Sequence, residues 1–378
     1  MMRAMPDQLT WDQVLALRLR RHHLAERVPR KRGLDVVRSI CGLHAQVMSS
    51  AELTLWARVD GLKSGDLSKA LWDEHRLVKT WAMRGMLHLL PANELPMWHA
   101  GFSTYDHYLK GAWFKAFGMT REELEGLIDA VSEALDGKPL TRVELAEAVV
   151  AITGDASLGE KLSESWGGYL KPAAFRGRLC FAPDRGRNVC FTRPDRFLDK
   201  ADPVEPDDAL ADITRHWLRA YGPGTREDFA RWWGIPSAAR AGKMLDALGD
   251  EVAEVDVEGK QLRMLAADAE EAAAISPERS AVLVPGFDQW VVGAARGEPA
   301  LLDPAEKARV YRQAGWISPA LLVNGRIEGV WRHERKGKRL SVELEPFGKL
   351  PAWARKGAEQ EVERLRDFLG GELAVSWT

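Results

Sequence analysis

Three times along the chain a threonine is followed, three residues on, by a side chain that can reach back to it. The stretches are TWDQVLA from Thr10, TRVELAEAV from Thr141 and TREDFARWW from Thr225, with Gln13, Glu144 and Asp228 in the reaching position. The threonine oxygen there accepts from the third backbone N–H, and the amide or carboxylate accepts from the threonine's own N–H. Two orphan donors of a helix start are satisfied together. Apolar residues follow each copy at helical spacing. One such box is commonplace. Three of them, the last two sharing Thr-Arg-x-acidic-apolar-Ala, divide the chain into separately started modules.

After the third copy, a helix from 226 runs to Gly234, and Pro236 suits the first turn of a second helix from Ala238 to Leu248. EVAEVDVEGKQLRML then alternates on both sides of Glu258-Gly259, the pattern of a hairpin. Helix, turn, helix, hairpin is the order of a winged helix-turn-helix. The second copy reads similarly. GYLKPAAFRGRLCFAPDRGRNVCFTRP ends a helix and turns around Pro183-Asp184-Arg185-Gly186, which puts Arg178, Arg185, Arg187 and Arg193 on a basic wing. Between the first two copies, TREELEGLIDAVSEALDG predicts an amphipathic scaffold helix capped by Thr120 and ended by Gly137. Its stripe is Leu124, Leu127, Ile128, Val131 and Leu135.

Beyond about residue 276 the pattern changes to strands: AVLVPGFDQWVVG, then LLVNGRIEGVWRHE turning at Asn324-Gly325, then KRLSVELEP. A closing helix at 352–369 and a short tail follow. The chain therefore reads as α+β, divided at 8–118, 119–200, 207–270, 276–350 and 351–378, with the acidic DKADPVEPDDALAD (199–212) as a linker.

At 378 residues, 46% hydrophobic and 29% charged, such a chain can bury more than one core and is not disordered. Its apolar runs are too short to cross a bilayer, and MMRAMPDQLTWDQ lacks the apolar stretch of a signal peptide. A cytoplasmic protein with no membrane partner is expected. Cys41, Cys180 and Cys190 form neither a disulfide framework nor a CxxC pair, and HExxH, GxSxG, GxGxxG and phosphate-loop motifs are absent.

Net charge is only −2, so a nucleic-acid footprint has to be local. LRLRRHHLAERVPRKRG carries Arg18, Arg20, Arg21, Arg27, Arg30, Lys31 and Arg32 against Glu26 alone. A solvated helix face is the ordinary reading of a charge run, but one of nearly single sign points to phosphates. His22 and His23, adjacent on a helix, have poor metal geometry and read as surface or phosphate-facing. Trp81, Trp232 and Trp233 read as core. In TWAMRGMLHLLP, Arg84, Gly85 and His88 interrupt an apolar, strand-like stretch, as satisfied structural groups or as groups lining a site.

GLHAQVMSS places His44 and Gln46 two positions apart. On a continuous helix they point about 200° apart, whereas in an extended segment they face the same side. A helix from Leu34 to about Leu43 is predicted to end before them, and Ser49-Ser50 to cap the next one, which carries Leu53 to Arg58. The pair then falls in a junction, either as chemistry or as backbone caps.

Taken in order, GLHAQ before a helix ending in LWAR, WAMRGMLHLLP, YGPGTREDFARWWG, LVPGFDQWVVG and VNGRIEGVWR resemble the bacterial winged-helix DNA glycosylases typified by AlkZ and YcaQ. The similarity extends from about residue 8 to about 370. It implies three tandem winged helix-turn-helix modules plus a C-terminal β-barrel-like unit, forming a channel for double-stranded DNA. It also implies a monofunctional glycosylase that acts as a monomer, without metal or cofactor, on N7-alkylated or bulky-adduct purines, in some members as self-resistance to a genotoxic natural product. The family's Gln-x-Gln or Gln-x-Asp signature falls on His44-Ala45-Gln46, so this chain has histidine at the first position. On this reading Gln46 holds the attacking water and His44 assists. Arg84 and His88 line the channel, and the basic run and Arg178, Arg185 and Arg187 meet phosphates. Asp288 is structural or near DNA. The rival readings are a non-catalytic regulator, a lesion- or drug-binding protein, and a pseudoenzyme that binds lesions without excising them.

Overall fold

The structure, a computed structural model, describes residues 8–164, 167–196, 198–199 and 202–378. Residues 1–7, residues 165, 166 and 197 of the second expected module, and Lys200-Ala201 of the linker lie outside the described residues. The chain forms two compact units. The first comprises 8–67, Thr214–Trp232 and Ala238–Thr378, and the second Ser68–Ile213 and Trp233–Ser237.

In the first unit the Thr10 box is made: the Thr10 N–H donates to Gln13 Oε1 at 2.9 Å, and the Gln13 N–H to Thr10 Oγ1 at 3.2 Å. The helix it starts, Trp11–Arg21, is buried on two flanks. Trp11, Val14 and Leu17 pack with Val255, Val257, Leu262 and Met264 of the hairpin Val252–Val257/Lys260–Leu265. Leu15 and Leu19 enter a larger core shared with the C-terminal sheet. Each such side chain, fully buried, contributes roughly 1.5–3 kcal/mol. The hairpin turns where expected, with Glu258 (φ 51°) and Gly259 (φ 88°) both left-handed. Ahead of it lie the Thr225 box (Asp228 N–H to Thr225 Oγ1, 3.0 Å), the helix Arg226–Trp233 and the helix Ala238–Asp246.

The C-terminal sheet departs from the barrel-like expectation. Its strands are Ala281–Val284, Ala320–Val323, Arg326–Lys336, Arg339–Pro346 and Glu372–Trp377, hydrogen-bonded in that order. Among the described residues nothing closes it. The helix Ala352–Leu369 packs along the first strand instead, so closely that a Cβ on Gly357 would lie 2.9 Å from the Ala281 Cβ. The expected tail is the last strand, paired parallel to Arg339–Leu344. The stretch after VPGF is also not a strand. Asp288 caps a short helix, Gln289–Gly293, by accepting from the Trp290 N–H at 2.8 Å.

In the second unit the Thr120 and Thr141 boxes start the helices Arg121–Ala134 and Arg142–Thr153, and the predicted stripe from Leu124 to Leu135 is buried. Leu140–Thr141, Asn188–Thr192 and Cys180–Arg185 form a sheet in that order. TWAMRGMLHLLP is not one strand but two. Leu77–Trp81 pairs antiparallel with Leu87–Pro91 because Arg84 (φ 59°) and Gly85 (φ 65°) reverse the chain between them. The ring of Trp81 lies 4.8 Å from Phe181 and joins this hairpin to the other sheet. Trp81, Trp232 and Trp233 are core, as their spacing suggested.

Candidate active site

The helix carrying Val36 and Val37 ends earlier than its apolar pattern suggested, at Ser39. Cys41 (φ 61°) and Gly42 (φ 93°) follow in left-handed conformations, and the Gly42 N–H bonds back to the Val37 carbonyl at 2.7 Å. This turn throws Leu43–His44 into extended backbone. The next helix is Met48–Trp56, with Val47 at its N-cap, so Ser49 and Ser50 lie inside its first turn rather than capping it. His44 and Gln46 thus occupy the junction between helices. They differ in exposure: His44 is buried, and Gln46 is exposed.

Three contacts within the first unit hold that junction. The Tyr221 hydroxyl donates to the Ile40 carbonyl at 3.1 Å. The Gln289 amide donates to the Gly42 carbonyl at 2.7 Å. The Phe287 ring lies flat on the His44 imidazole, centroids 5.0 Å apart and planes within 5°. Phe287 itself is left-handed (φ 61°), an unfavourable state for a side chain of this size. The next residue fixes it there. Asp288 is fully buried in a bidentate pair with Arg58, both N–O distances 2.7 Å, and Arg58 also donates to the Thr54 carbonyl at 2.9 Å. Asp288 therefore has a structural position. Phe287, Gln289 and Arg58 were missed by sequence reasoning. The signal available was the polar Asp-Gln pair inside the otherwise apolar VPGFDQWVVG.

The basic run is not one solvent-facing surface, which corrects the expectation for three of its cations. Arg18 donates to the Gly222 and Pro223 carbonyls, the shorter contact being 2.6 Å, and burial lowers its pKa to about 10. Arg21 binds Asp268 and Glu271, each at 2.6 Å. Arg27 chelates Glu361 with both oxygens at 2.7 Å. Arg18 and Arg21, one turn apart, share an inward face of the Trp11–Arg21 helix, while Arg27 lies beyond that helix and is drawn inward by Glu361. Arg20, Arg30, Lys31 and Arg32 are exposed; Arg20, Arg30 and Arg32 pair with Glu271, Asp66 and Asp35 at the surface, where such pairs are weak. The two histidines are not phosphate-facing either. The His22 Nε2–H donates to the Ala220 carbonyl at 3.0 Å, and burial holds its pKa well below the usual imidazole value. The His23 Nε2 lies 3.0 Å from the Ser39 hydroxyl.

Arg84 and His88 belong to the second unit. His88 does not line a channel as expected: it is fully buried, with Nδ1–H donating to the Met86 carbonyl at 3.0 Å, so its tautomer is set by the backbone. Arg84 sits at the hairpin turn, whose backbone packs so closely on Gly234 that any Cβ there would lie 2.7 Å from the Arg84 nitrogen. The half-buried Lys171 amine lies beside Gly85 of the same turn, its pKa lowered by burial. On the Cys180–Arg185/Asn188–Thr192 hairpin Arg185 and Arg187 are exposed, as is Arg178 just ahead of it. Arg185 pairs with Glu144, which also completes the Thr141 box. The Thr141 backbone N–H and then Arg185 hold the Glu144 carboxyl down at about 2. Among the described residues no group of three or more His, Cys, Asp or Glu side chains could hold a metal ion, and no helix is long and apolar enough to cross a membrane.

The chain is 39% identical over 326 residues to an interstrand DNA cross-link repair glycosylase of Streptomyces sahachiroi, covering 85% of this chain and 87% of that protein. The solved structure of the Streptomyces sahachiroi DNA glycosylase AlkZ matches with a TM-score of 0.90 at 36% identity, covering 98% of this chain and all of that one. The sequence model of the DNA glycosylase AlkZ-like family matches residues 37–368. The chain belongs to the AlkZ-like DNA glycosylase family.

Proposed function

We propose that this glycosylase hydrolyses the N-glycosidic bond of N7-alkylated or bulky-adduct purines in double-stranded DNA, cross-linked lesions included, and serves in self-resistance to a genotoxic natural product. It works as a monomer in the cytoplasm, on the nucleoid. The observation that carries this reading is the junction 40–47, where an exposed Gln46 stands two residues from a buried His44 on backbone anchored by Tyr221 and Gln289. Anchoring matters because an N7-alkylated purine is already cationic and leaves readily. The protein's task is to place water against an oxocarbenium-like sugar.

In the proposed step the C1′–N9 bond breaks, its electron pair neutralises the departing purine, and a water oxygen bonds to C1′ while that water's O–H bond breaks and its proton passes, by way of the neutral His44 imidazole, to solvent. Gln46, with an acceptor oxygen and donor nitrogens, holds that water. His44 assists as a neutral imidazole; a cationic ring would oppose the charge forming on the sugar. Water and side chains suffice for every bond made or broken.

DNA is held by three tandem winged helices over 8–118, 119–200 and 207–270, followed by the sheet unit at 276–350 and the helix and final strand at 351–378. Arg20, Arg30, Lys31 and Arg32, with Arg178, Arg185 and Arg187 on the second wing, contact phosphates, and Arg84 lines the channel.

The test is release of base from duplexes carrying N7-methylguanine or a bulky N7 adduct. Wild-type protein is expected to excise, and Gln46→Ala to lose excision while retaining DNA binding. His44→Gln, which restores the family signature, separates two roles: lowered excision means the imidazole contributes, and increased excision means it limits the enzyme. Intact lesions together with a footprint at one operator would make the protein a regulator and end the glycosylase reading.

A further inference from the structure

Beside the candidate active site, within the first unit, lies an open groove of about 370 Å³. One wall is Val47, Ser49 and Ser50, the residues that follow Gln46. The floor includes Trp331, whose ring is covered by His333 at 5.4 Å. The other wall is Trp316, 49% exposed, the aromatic side chain among the large hydrophobics left exposed in the described residues. Scattered exposed apolar residues need no explanation. This one differs in how it is held.

Trp316 stands at the neck of the loop Arg312–Trp316. The loop is closed by a bridge between Tyr311 and Ile317 and by the Arg312 N–H donating to the Trp316 carbonyl at 2.8 Å. Ala314 (φ 55°) and Gly315 (φ 74°) make its turn. The indole packs edge-on against Phe287, centroids 5.0 Å apart, and Phe287 in turn lies flat on His44. A Cβ on Gly286 would come within 2.9 Å of the Ile317 carbonyl, so the loop and the Phe287 turn are pressed together. The result is an aromatic column running from the catalytic segment to an indole fixed at the groove. A pre-ordered aromatic surface costs little further entropy when it is covered.

The charges in the groove are largely paired among themselves. Its two carboxylates, Glu343 and Glu345, are ion-paired to Arg332 and Arg309, which leaves the exposed Arg312 guanidinium as the excess charge of the lining. A planar, uncharged, electron-rich ring suits the indole and that guanidinium together.

Resting on the proposed glycosylase reading, we infer that this groove is a subsite for the planar aromatic part of a bulky N7 adduct. Trp316 is its stacking platform and thereby a determinant of lesion range. The damaged purine meets Gln46 while its extension lies along Val47–Ser50 against the indole. Stacking of one ring on an aromatic side chain is worth a factor of roughly ten.

The experiment compares wild type, Trp316→Ala and Trp316→Phe in single-turnover excision on two duplexes, one with N7-methylguanine and one with an N7-guanine adduct of a polycyclic aryl epoxide. Anisotropy then measures the preference of each protein for the aryl-adducted duplex over undamaged duplex. Trp316→Ala is expected to lower the aryl-to-methyl excision ratio about tenfold, with Trp316→Phe keeping most of it. An unchanged ratio overturns the subsite, as does an equal loss on both lesions, which would make Trp316 a support for the active site generally. If wild type excises neither lesion the glycosylase reading fails. The subsite is then judged on binding alone: a preference for aryl-adducted duplex that Trp316→Ala abolishes supports it, and one that is absent or unmoved sinks it.

Discussion

Replacing Asp288 with alanine removes both carboxylate contacts of Arg58 at a place where neither side chain is exposed to solvent. Separating a buried pair by deleting one partner costs about 3–5 kcal/mol, because the remaining charge is left uncompensated. The same substitution deletes the 2.8 Å cap on the Trp290 N–H, worth about 1 kcal/mol more. A loss of about 4–6 kcal/mol is a large part of what holds a domain folded. The assay is urea unfolding followed by circular dichroism. Because the chain forms two compact units, the transition of the first has to be read separately.

Asp288→Asn distinguishes charge from shape. It keeps an oxygen for the cap but not the negative charge, so it should cost nearly as much as alanine. Replacing Arg58 and Asp288 together with apolar residues of similar size should recover most of the loss, since no buried charge then remains. The consequence reaches the site through the two neighbours of Asp288, because Phe287 covers His44 and Gln289 holds the Gly42 carbonyl. In any variant that stays folded, excision should fall by more than DNA affinity. A cost below about 1 kcal/mol for Asp288→Ala, with an unchanged denaturant slope, would refute the assignment of this pair as the brace behind the candidate active site.

Acidification should weaken the fold before most carboxylates titrate. Burial puts the His99 pKa at about 4 and the His22 pKa well below its usual 6.5, so between pH 6.5 and 4 the unfolded chain binds protons that the folded chain refuses. Stability is full above pH 6.5 and falls below it, His99 alone accounting for on the order of 3 kcal/mol by pH 4. His99→Phe should flatten the urea midpoint against pH, and an identical slope in that variant would discard the assignment. Neutralising Arg30, Lys31 and Arg32 together should reduce the slope of log affinity against log salt by up to about 3, close to one per phosphate contact. Arg27→Gln, which leaves Glu361 buried without its chelating partner, should lower stability and leave that slope unchanged.

What was legible in the sequence was local. The boxes at Thr10, Thr141 and Thr225 and the cap at Thr120 close within three residues, and the turns at Glu258-Gly259 and Asn324-Gly325 over two, so neighbouring side chains decide them and the structure has them all. Where a local signal competed with a tertiary one, the tertiary one prevailed. Ser49 and Ser50 offer good capping oxygens, yet the helix starts at Met48, because the turn at Cys41-Gly42 and the bond from Gln289 to the Gly42 carbonyl set where the chain leaves the junction. The β-branched pair Val291-Val292 reads as strand, yet Asp288 caps a helix there, held in place by an arginine 230 positions away. The cations of the basic run show the same limit most clearly. Nothing within reach of Arg27 in the sequence marks it as different from Arg30, but its partner Glu361 lies 334 residues on, whereas Arg30 pairs with Asp66 at the surface. A charge run therefore gives the number of cations available to DNA only as an upper bound, and long-range packing sets how many remain. The candidate active-site segment behaves in the opposite way. Three consecutive residues locate the segment, but what separates a buried His44 from an exposed Gln46 is Phe287, and only the fold brings that ring to the imidazole.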